Sequence, residues 1–163
     1  THVQGQDQST DIPMNRYLAL AAFLVLVLGG GTAIGSMNLP GPWYEALAKP
    51  PFNPPNWVFG PAWTILYILI GIAGWRIWER DRGGPAMKAW GAQLLLNFAW
   101  SPVFFTLQSV GGALFIVVLM LAAILAFIGL AWKRDRIAAL LFVPYAAWVS
   151  FASLLNASIL WLN

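Results

Sequence analysis

Long stretches without charge constrain the fold of this chain more than any other feature. Residues 17–35 contain no charged side chain, and residues 113–131 contain no polar side chain at all. About 20 consecutive apolar residues suffice for a helix that crosses the hydrocarbon core of a bilayer. With 60% hydrophobic and 9% charged residues, the composition also excludes a water-soluble globule and a disordered chain. The sequence therefore predicts a small all-α integral membrane protein.

Five apolar stretches predict a bundle of five transmembrane helices in one membrane domain over residues 1–163. They follow a polar tail at 1–15 and cover about 16–36, 57–78, 87–107, 113–132 and 137–162. Their short connections make consecutive helices antiparallel neighbours. A cleavable signal peptide is the competing interpretation of the first stretch, because Ala33-Ile34-Gly35 resembles a cleavage site.

The basic residues predict how this bundle lies in the membrane. Of nine Lys and Arg residues, eight fall on one predicted side and only Lys49 on the other. The positive-inside rule then places the N-terminus in the cytoplasm and the C-terminus outside. The eight are Arg16, Arg76, Arg80, Arg82, Lys88, Lys133, Arg134 and Arg136.

The remaining ionisable residues exclude several classes of function. All six acidic residues fall in loops or the tail, so the proton relays and ion-coupled transporters that need charges at membrane depth are disfavoured. Cysteine is absent and the single histidine, His2, lies in the tail, which excludes thiol catalysis and a histidine-based metal site. In so apolar a chain, a net charge of +3 indicates topology rather than a nucleic-acid partner.

A proline-rich loop at residues 37–56 connects the first two predicted helices. Seven of the eleven prolines lie within residues 40–61. Pro42 suits the first position of a short helix that runs to Lys49, and residues 50–55 should be stiff and extended because proline fixes φ. This loop is either an aromatic anchor at the membrane interface or a preordered lid over the outer mouth of the bundle, and both can hold.

Three of the predicted helices carry stripes that mix aromatic rings with uncharged polar groups. Spacings of three or four residues place the members of each stripe on one helix face. Their amides either bond between helices or line a pocket for a flat hydrophobic ligand. Pro102 and Pro144 interrupt two of these helices, as a tolerated kink or to widen a cavity. The stripes comprise Trp63 and Tyr67, then Gln93, Asn97, Trp100 and Ser101, then Tyr145, Trp148, Ala152 and Asn156.

In order and spacing, these residues resemble the translocator protein / tryptophan-rich sensory protein family (TspO/MBR). The resemblance covers nearly the whole chain from the first helix onward, and the ten tryptophans fit the family's name. The matching residues are Trp43-Tyr44, Leu47, Lys49-Pro50, Pro54-Pro55, Trp57, Trp63, Leu66-Tyr67, Gln93-Leu94, Asn97, Trp100-Ser101-Pro102-Val103-Phe104-Phe105, Pro144-Tyr145, Trp148, Phe151-Ala152 and Leu155-Asn156.

The resemblance implies a receptor for porphyrins such as protoporphyrin IX and haem, which acts in tetrapyrrole sensing, sequestration or transport without a required cofactor. The alternative is light-dependent oxidative degradation of the bound porphyrin with Trp63 and Trp148 as redox-active neighbours, since the chain offers no acid–base pair or nucleophile for conventional turnover. The family's pocket positions fall on Tyr44, Pro54, Trp63, Asn97, Trp100, Trp148 and Ala152.

Other expectations concern the ligand's polar groups and its iron. Lys49 is the only outer cation, and it either contacts porphyrin propionates or remains in solvent as a cation at a helix end. Only Met120, Tyr67 and Tyr145 inside the bundle are of types that ligate haem iron, which favours metal-free porphyrin or haem held by stacking.

Departures from the family pattern bear on sterols, source and partners. Ala157 and Trp161 stand where cholesterol-responsive members carry Tyr and Arg, which disfavours sterol recognition there and indicates a bacterial cell membrane. A sterol- or lipid-binding protein, or a scaffold, is the second alternative. The family also implies homodimerisation, for which Gly31 with Gly35 or Ala122 with Ala126 have the small-residue spacing.

Overall fold

The computed structural model describes the backbone of residues 11–163 and the side chains of residues 15–163. His2 and most of the predicted polar tail lie outside the described residues. All regular structure within this range is helical. It comprises α1 (Asp11–Leu24), a π-helical segment Val25–Gly29, α2 (Gly30–Met37), α3 (Pro42–Ala46), α4 (Asn56–Asp81), α5 (Pro85–Ser101), a second π-helical segment Pro102–Thr106, α6 (Val110–Ala131), α7 (Arg136–Leu141) and α8 (Val143–Leu162).

Within residues 11–163, four helical stretches are long and apolar enough to cross a membrane. They are Asn15–Met37, Asn56–Asp81, Val110–Ala131 and Arg136–Leu162. The stretch predicted at 87–107 instead forms α5, which has 17 residues, and the five-residue π-helical segment that follows. An all-α, multi-pass membrane architecture is therefore confirmed, whereas the count of five spans stays a prediction.

The helix boundaries follow local capping and turn chemistry. The first helix is already helical at Asp11, the first residue whose backbone is described, about five residues before the predicted start. Ser109 caps α6 by accepting a hydrogen bond of 3.1 Å from the Gly112 N–H. Asp135 caps α7 by accepting bonds from the backbone N–H groups of Ile137 and Ala138.

Pro102 and Pro144 each mark an interruption of a helix, as predicted, whereas Pro61 lies inside the continuous helix α4. At Pro102 the α-helix gives way to the π-helical segment, in which the Leu107 N–H donates to the Pro102 carbonyl over 2.9 Å. Before Pro144 the last long helix breaks at Phe142, between α7 and α8. Proline lacks the N–H that would continue the ladder, so each interruption lies where the sequence removes a hydrogen bond.

The core lies between α4, α5, α6 and the α7–α8 pair. Its buried side chains include Ile70, Ile124, Phe127 and Phe142, and the rings of Phe127 and Phe142 have centroids 4.1 Å apart. A smaller cluster beneath the connecting loop contains Tyr44, Phe104, Ala113 and Ile159. This second cluster fixes α3 against the ends of α6 and α8.

Close packing of the first helix depends on its glycines. A Cβ atom on Gly30 would overlap the Phe98 ring, and one on Gly31 would overlap the Tyr67 ring. Gly31 is thus occupied within the chain and is not available for a dimer contact, whereas Ala122 and Ala126 on α6 are exposed. Homodimerisation itself stays a prediction.

Alanine substitutions at two helical glycines are expected to change the free energy of unfolding in opposite directions. A Cβ on Gly74 would overlap the Trp90 indole, whose Nε1–H donates to the Ile70 carbonyl over 2.9 Å and so holds the ring in place. We expect Gly74→Ala to lower the free energy of unfolding by about 2 kcal/mol. Gly91 has open space around it, so Gly91→Ala should raise that free energy by up to about 1 kcal/mol. Unfolding in mixed micelles with increasing SDS measures both, and equal stability of the two variants would contradict this packing.

Candidate functional site

A cavity of about 500 Å³ lies inside the bundle, at the end closed by the loop between α2 and α4. Side chains from α2, α4, α5, α6 and α8 line it, together with residues of the loop. None of the lining residues in the described part of the chain is charged. The lining includes nine aromatic residues, Tyr44, Phe59, Trp63, Tyr67, Phe98, Trp100, Phe104, Phe105 and Trp148, and eight uncharged polar residues, Thr32, Asn38, Asn53, Asn56, Thr64, Asn97, Ser101 and Asn156.

The aromatic rings of the wall are held in fixed mutual orientations. Trp63 of α4 and Trp148 of α8 meet edge to face, with centroids 6.4 Å apart and planes at 87°. On the α5 side, Trp100 and Phe104 are stacked at 4.9 Å and 24°. Contacts of this kind add to the stability that burial gives, so the cavity has a preformed aromatic wall.

The polar groups of the wall divide into satisfied and unsatisfied ones. Trp100 donates its indole N–H to Asn156 Oδ1 over 3.1 Å, and the Asn156 amide donates to the Val110 carbonyl over 2.9 Å. Trp148 Nε1 is buried and has no hydrogen-bond partner among the described residues. An indole N–H normally finds an acceptor when it is buried, so Trp148 carries an unsatisfied donor in the wall of the cavity.

A hydrogen-bond network lies behind the cavity and joins three helices. The Asn97 amide donates to the Tyr145 hydroxyl over 2.7 Å, and that hydroxyl lies 2.8 Å from Gln93 Oε1 and 3.3 Å from Met120 Sδ. Gln93 and Tyr145 are fully buried, so they hold helices together rather than face a ligand. Asn97 does both, because it belongs to this network and also lines the cavity.

The structure brings six of the seven predicted pocket residues to this cavity. Pro54 is half-buried and does not line it, and neither does Lys49. The Lys49 ammonium donates to the carbonyls of Glu45 and Leu47 and lies 4.5 Å from the centre of the Tyr44 ring. The six lining residues are Tyr44, Trp63, Asn97, Trp100, Trp148 and Ala152.

The loop contributes a buried roof as well as exposed aromatic surface. Tyr44 is buried against Phe104 and Phe105, and burial raises the pKa of its phenol while a hydrogen bond with Asn53 opposes that rise. Trp57, in contrast to the buried Tyr44, is 75% exposed. The Asn163 side chain pairs with the backbone N–H and carbonyl of Ala48, at 3.1 and 2.9 Å, and so ties the loop to the end of α8.

Sequence reasoning missed several lining residues, among them Asn38 and Asn53 of the loop and Phe98 of α5. The two asparagines lie outside any helical repeat, so periodicity gives no signal for them. Phe98 follows Asn97 directly, and its position shows that the lining on α5 is wider than the predicted stripe. No group of three His, Cys, Asp or Glu side chains suited to a metal ion occurs in the described part of the chain.

Comparison with known proteins identifies the family. Residues 20–162 match the model of the TspO/MBR family. This chain belongs to the TspO/MBR family. The resemblance seen in the tryptophan, proline and asparagine pattern is thereby confirmed.

Relatives of this TspO/MBR protein come from bacteria, an archaeon and animals. It is 36% identical over 150 residues to Protein CrtK of Rhodobacter capsulatus, with 90% of this chain and 94% of that protein covered. It is 41% identical over 154 residues to the Tryptophan-rich protein TspO of Chlorobaculum tepidum, with 90% and 96% covered. The Translocator protein of Homo sapiens is 37% identical over 136 residues, with 77% and 79% covered.

Proposed function

We propose that this TspO/MBR protein is a membrane receptor for porphyrins such as protoporphyrin IX and haem, and for similar flat hydrophobic ligands. It would act in tetrapyrrole sensing, sequestration or transport. The observation that carries the proposal is the uncharged, aromatic-walled cavity of about 500 Å³. The names of the relatives, a sensory protein and a translocator protein, fit the same role.

The cavity supports this ligand class through both its size and its chemistry. Ligand pockets commonly measure about 300–1,000 Å³ and are lined by apolar groups with a few polar ones that fix orientation. Indole and phenyl faces stack on extended π-systems, as the pair of Trp100 and Phe104 already does within the wall. No described lining residue is charged, so the cavity suits the uncharged ring of a porphyrin, whereas its propionates would lose their hydration there without gaining a counter-ion.

We propose five membrane spans with the N-terminus in the cytoplasm and the C-terminus outside, in a bacterial cell membrane. Arg80 at the end of α4 bonds directly to Asp135, which follows α6, with N–O 2.9 Å. If α6 crosses the bilayer once, these two residues can meet only if residues 85–106 cross it as well. The contact between Ala48 and Asn163 supports the same count, since it places the loop after the first span and the end of α8 on the same side, as five spans require.

The groups near the cavity favour metal-free porphyrin, or haem held by stacking. Met120 and Tyr67 line the cavity, but the Met120 sulfur already lies 3.3 Å from the Tyr145 hydroxyl. Lys49 remains our proposed propionate partner, because its ammonium lies over the ring of Tyr44, which reaches the cavity. The sequence departures at Ala157 and Trp161 argue against sterol as the main ligand.

The unpartnered indole of Trp148 leads to a specific test of the receptor. Trp148→Phe keeps an aromatic ring but removes the N–H, so we expect it to weaken protoporphyrin IX binding about tenfold. Trp161→Phe is the matched control, because Trp161 lies on the same helix and is 89% exposed. Titration of the purified protein, followed by Soret absorbance, measures both affinities. Equal affinities for the wild type and both variants would contradict the assignment of the cavity.

Light-dependent oxidative degradation of the bound porphyrin is the second candidate function. The edge-to-face contact between Trp63 and Trp148 favours it, since two oxidisable indoles then flank the same ligand. Dioxygen would be the oxidant and the porphyrin ring the group oxidised. Loss of Soret absorbance should therefore require both light and oxygen, whereas binding persists in dark or anaerobic samples. Pigment that stays intact in illuminated, aerated samples would exclude this candidate.

A further inference from the structure

A second, smaller pocket of about 260 Å³ lies at the end of the bundle opposite the cavity. It is formed by α1, the C-terminal turns of α4 and the residue that precedes α7. Three guanidinium groups, two carboxylates and one indole line it. These side chains are Arg16, Trp75, Arg76, Glu79, Arg80 and Asp135.

The buried carboxylate of Asp135 organises this pocket. Arg76 donates to both of its oxygens, over 2.8 and 3.2 Å, and Arg80 donates through Nε over 2.9 Å. Across the pocket, Trp75 donates its indole N–H to the Arg16 carbonyl over 3.0 Å, and the Arg16 guanidinium lies 5.7 Å from the Trp75 ring centre. The guanidinium groups are therefore positioned before any ligand arrives.

The charges of the pocket do not balance. Three arginines against Glu79 and Asp135 leave one positive charge among the lining residues. Arg16 and Glu79 are only loosely paired, with N–O 3.9 Å. In the described part of the chain Arg80 donates through Nε alone, and its side chain is 54% exposed, so its two Nη groups can reach an added anion.

The aromatic neighbours of the pocket indicate its level in the membrane. Trp78 and Trp132 at the same end of the bundle are covered by Arg82 and Arg136, with cation–ring distances of 4.4 and 4.6 Å. Tryptophan and arginine pair in this way at the level of the lipid head groups, where an indole has one apolar and one polar neighbour. The pocket lies beside this aromatic layer, because Trp75 is one of its lining residues.

We propose that this pocket binds the phosphate group of an anionic phospholipid, with Arg80 and Arg16 as the donors and the pair of Arg76 and Asp135 as the rigid frame. Arginine suits this role because its planar fork can donate two parallel hydrogen bonds to phosphate oxygens. If this end of the bundle is cytoplasmic, as we propose above, it faces the leaflet in which anionic lipids are enriched. The site does not depend on porphyrin binding.

The test measures phosphatidylglycerol binding to the full chain in neutral detergent micelles by native mass spectrometry. Phosphatidylcholine serves as the zwitterionic reference. We expect the wild type to prefer phosphatidylglycerol and Arg80→Gln to weaken its binding about tenfold. Arg82→Gln is the matched control, because Arg82 loses the same charge at the same end but does not line the pocket. We expect that control to stay within about twofold of the wild type.

Further measurements distinguish a lipid site from a site for soluble phosphate and from general attraction to a basic surface. Protoporphyrin IX titration of Arg80→Gln should match the wild type, which shows that the variant is folded and keeps the two sites distinct. Millimolar inorganic phosphate that displaces the lipid would identify a soluble phosphate as the occupant of the same site, and failure to displace it would identify the lipid. Equal weakening by Arg80→Gln and Arg82→Gln would overturn the proposal, because it would mean general attraction to a basic surface. Absence of a preference for phosphatidylglycerol would overturn it as well.

Discussion

Replacing Asp135 by asparagine is expected to lower the free energy of unfolding by about 3 kcal/mol. The Asp135 side chain is only 3% exposed, and it pairs with Arg76 and Arg80. Loss of the Asp135 charge leaves two guanidinium groups without their counter-ion. Arg76 is the less exposed of the two, so its unpaired charge contributes most of the expected loss of stability. Asparagine is also a good N-cap, so the start of α7 should be retained and the change isolates the ion pairs. SDS-induced unfolding in mixed micelles, followed by tryptophan fluorescence, measures the effect.

Asp81→Asn provides the matched control at the same end of the bundle. Asp81 pairs with Arg134 at 3.6 Å, but the Arg134 side chain is 62% exposed. Exposed pairs of this kind contribute about 1 kcal/mol or less. Comparable losses in the two variants would show that Asp135 acts as an ordinary surface charge, contrary to the geometry described above.

The same carboxylate makes stability depend on pH in a defined direction. Burial by itself would raise the pKa of Asp135, but hydrogen bonds from Arg76, Ala138 and Arg80 lower it below its ordinary value of 3.8. Since the folded-state pKa lies below the unfolded one, its stabilising contribution is complete above pH 3.8 and is lost as the pH falls through the folded value. Asp135→Asn should remove this part of the acid dependence.

Hydropathy and proline chemistry predicted much of the fold. The uncharged stretches locate the long helices, because a bilayer requires about 20 apolar residues per span. Pro102 and Pro144 mark two of the interruptions, since each removes a backbone donor, whereas the π-helical segment Val25–Gly29 contains no proline and has no such signal. The helix least evident from the sequence is α5, because Lys88 lies in its first turn and its α-helical part ends just before Pro102. Our proposal that α5 contributes a fifth span depends on a tertiary contact, between Arg80 and Asp135, that no local pattern contains.

Helical spacing predicted the cavity wall better than the roof. Trp63, Asn97 and Trp148 recur on helix faces, and all three line the cavity. The loop has no such period, so the contribution of Asn53 was missed and Pro54 was placed in the lining although it lies outside it. The sequence also does not predict which polar groups of the cavity have hydrogen-bond partners. The acceptor for the Trp100 indole, for example, is 56 residues away along the chain. Pairing over such distances depends on packing rather than on spacing.

Filling the cavity from α8 is expected to weaken porphyrin binding about a hundredfold. Ala152 lines the cavity one turn beyond Trp148, so the ring of Ala152→Phe would enter the space that we assign to the ligand. The ring and the ligand would compete for the same volume, and a hundredfold loss of affinity corresponds to about 2.8 kcal/mol of binding free energy. Soret titration with protoporphyrin IX measures the affinity.

Ala147→Phe is the matched control for this substitution. Ala147 lies on the same helix and is exposed, so its added ring meets lipid rather than the cavity. It should bind protoporphyrin IX as the wild type does, and SDS unfolding shows whether each variant is folded. If a folded Ala152→Phe protein binds as tightly as Ala147→Phe, the ligand lies elsewhere and the uncharged cavity is not the porphyrin site. If only Ala152→Phe loses binding, the ligand and the added ring compete for one space between α4, α5 and α8.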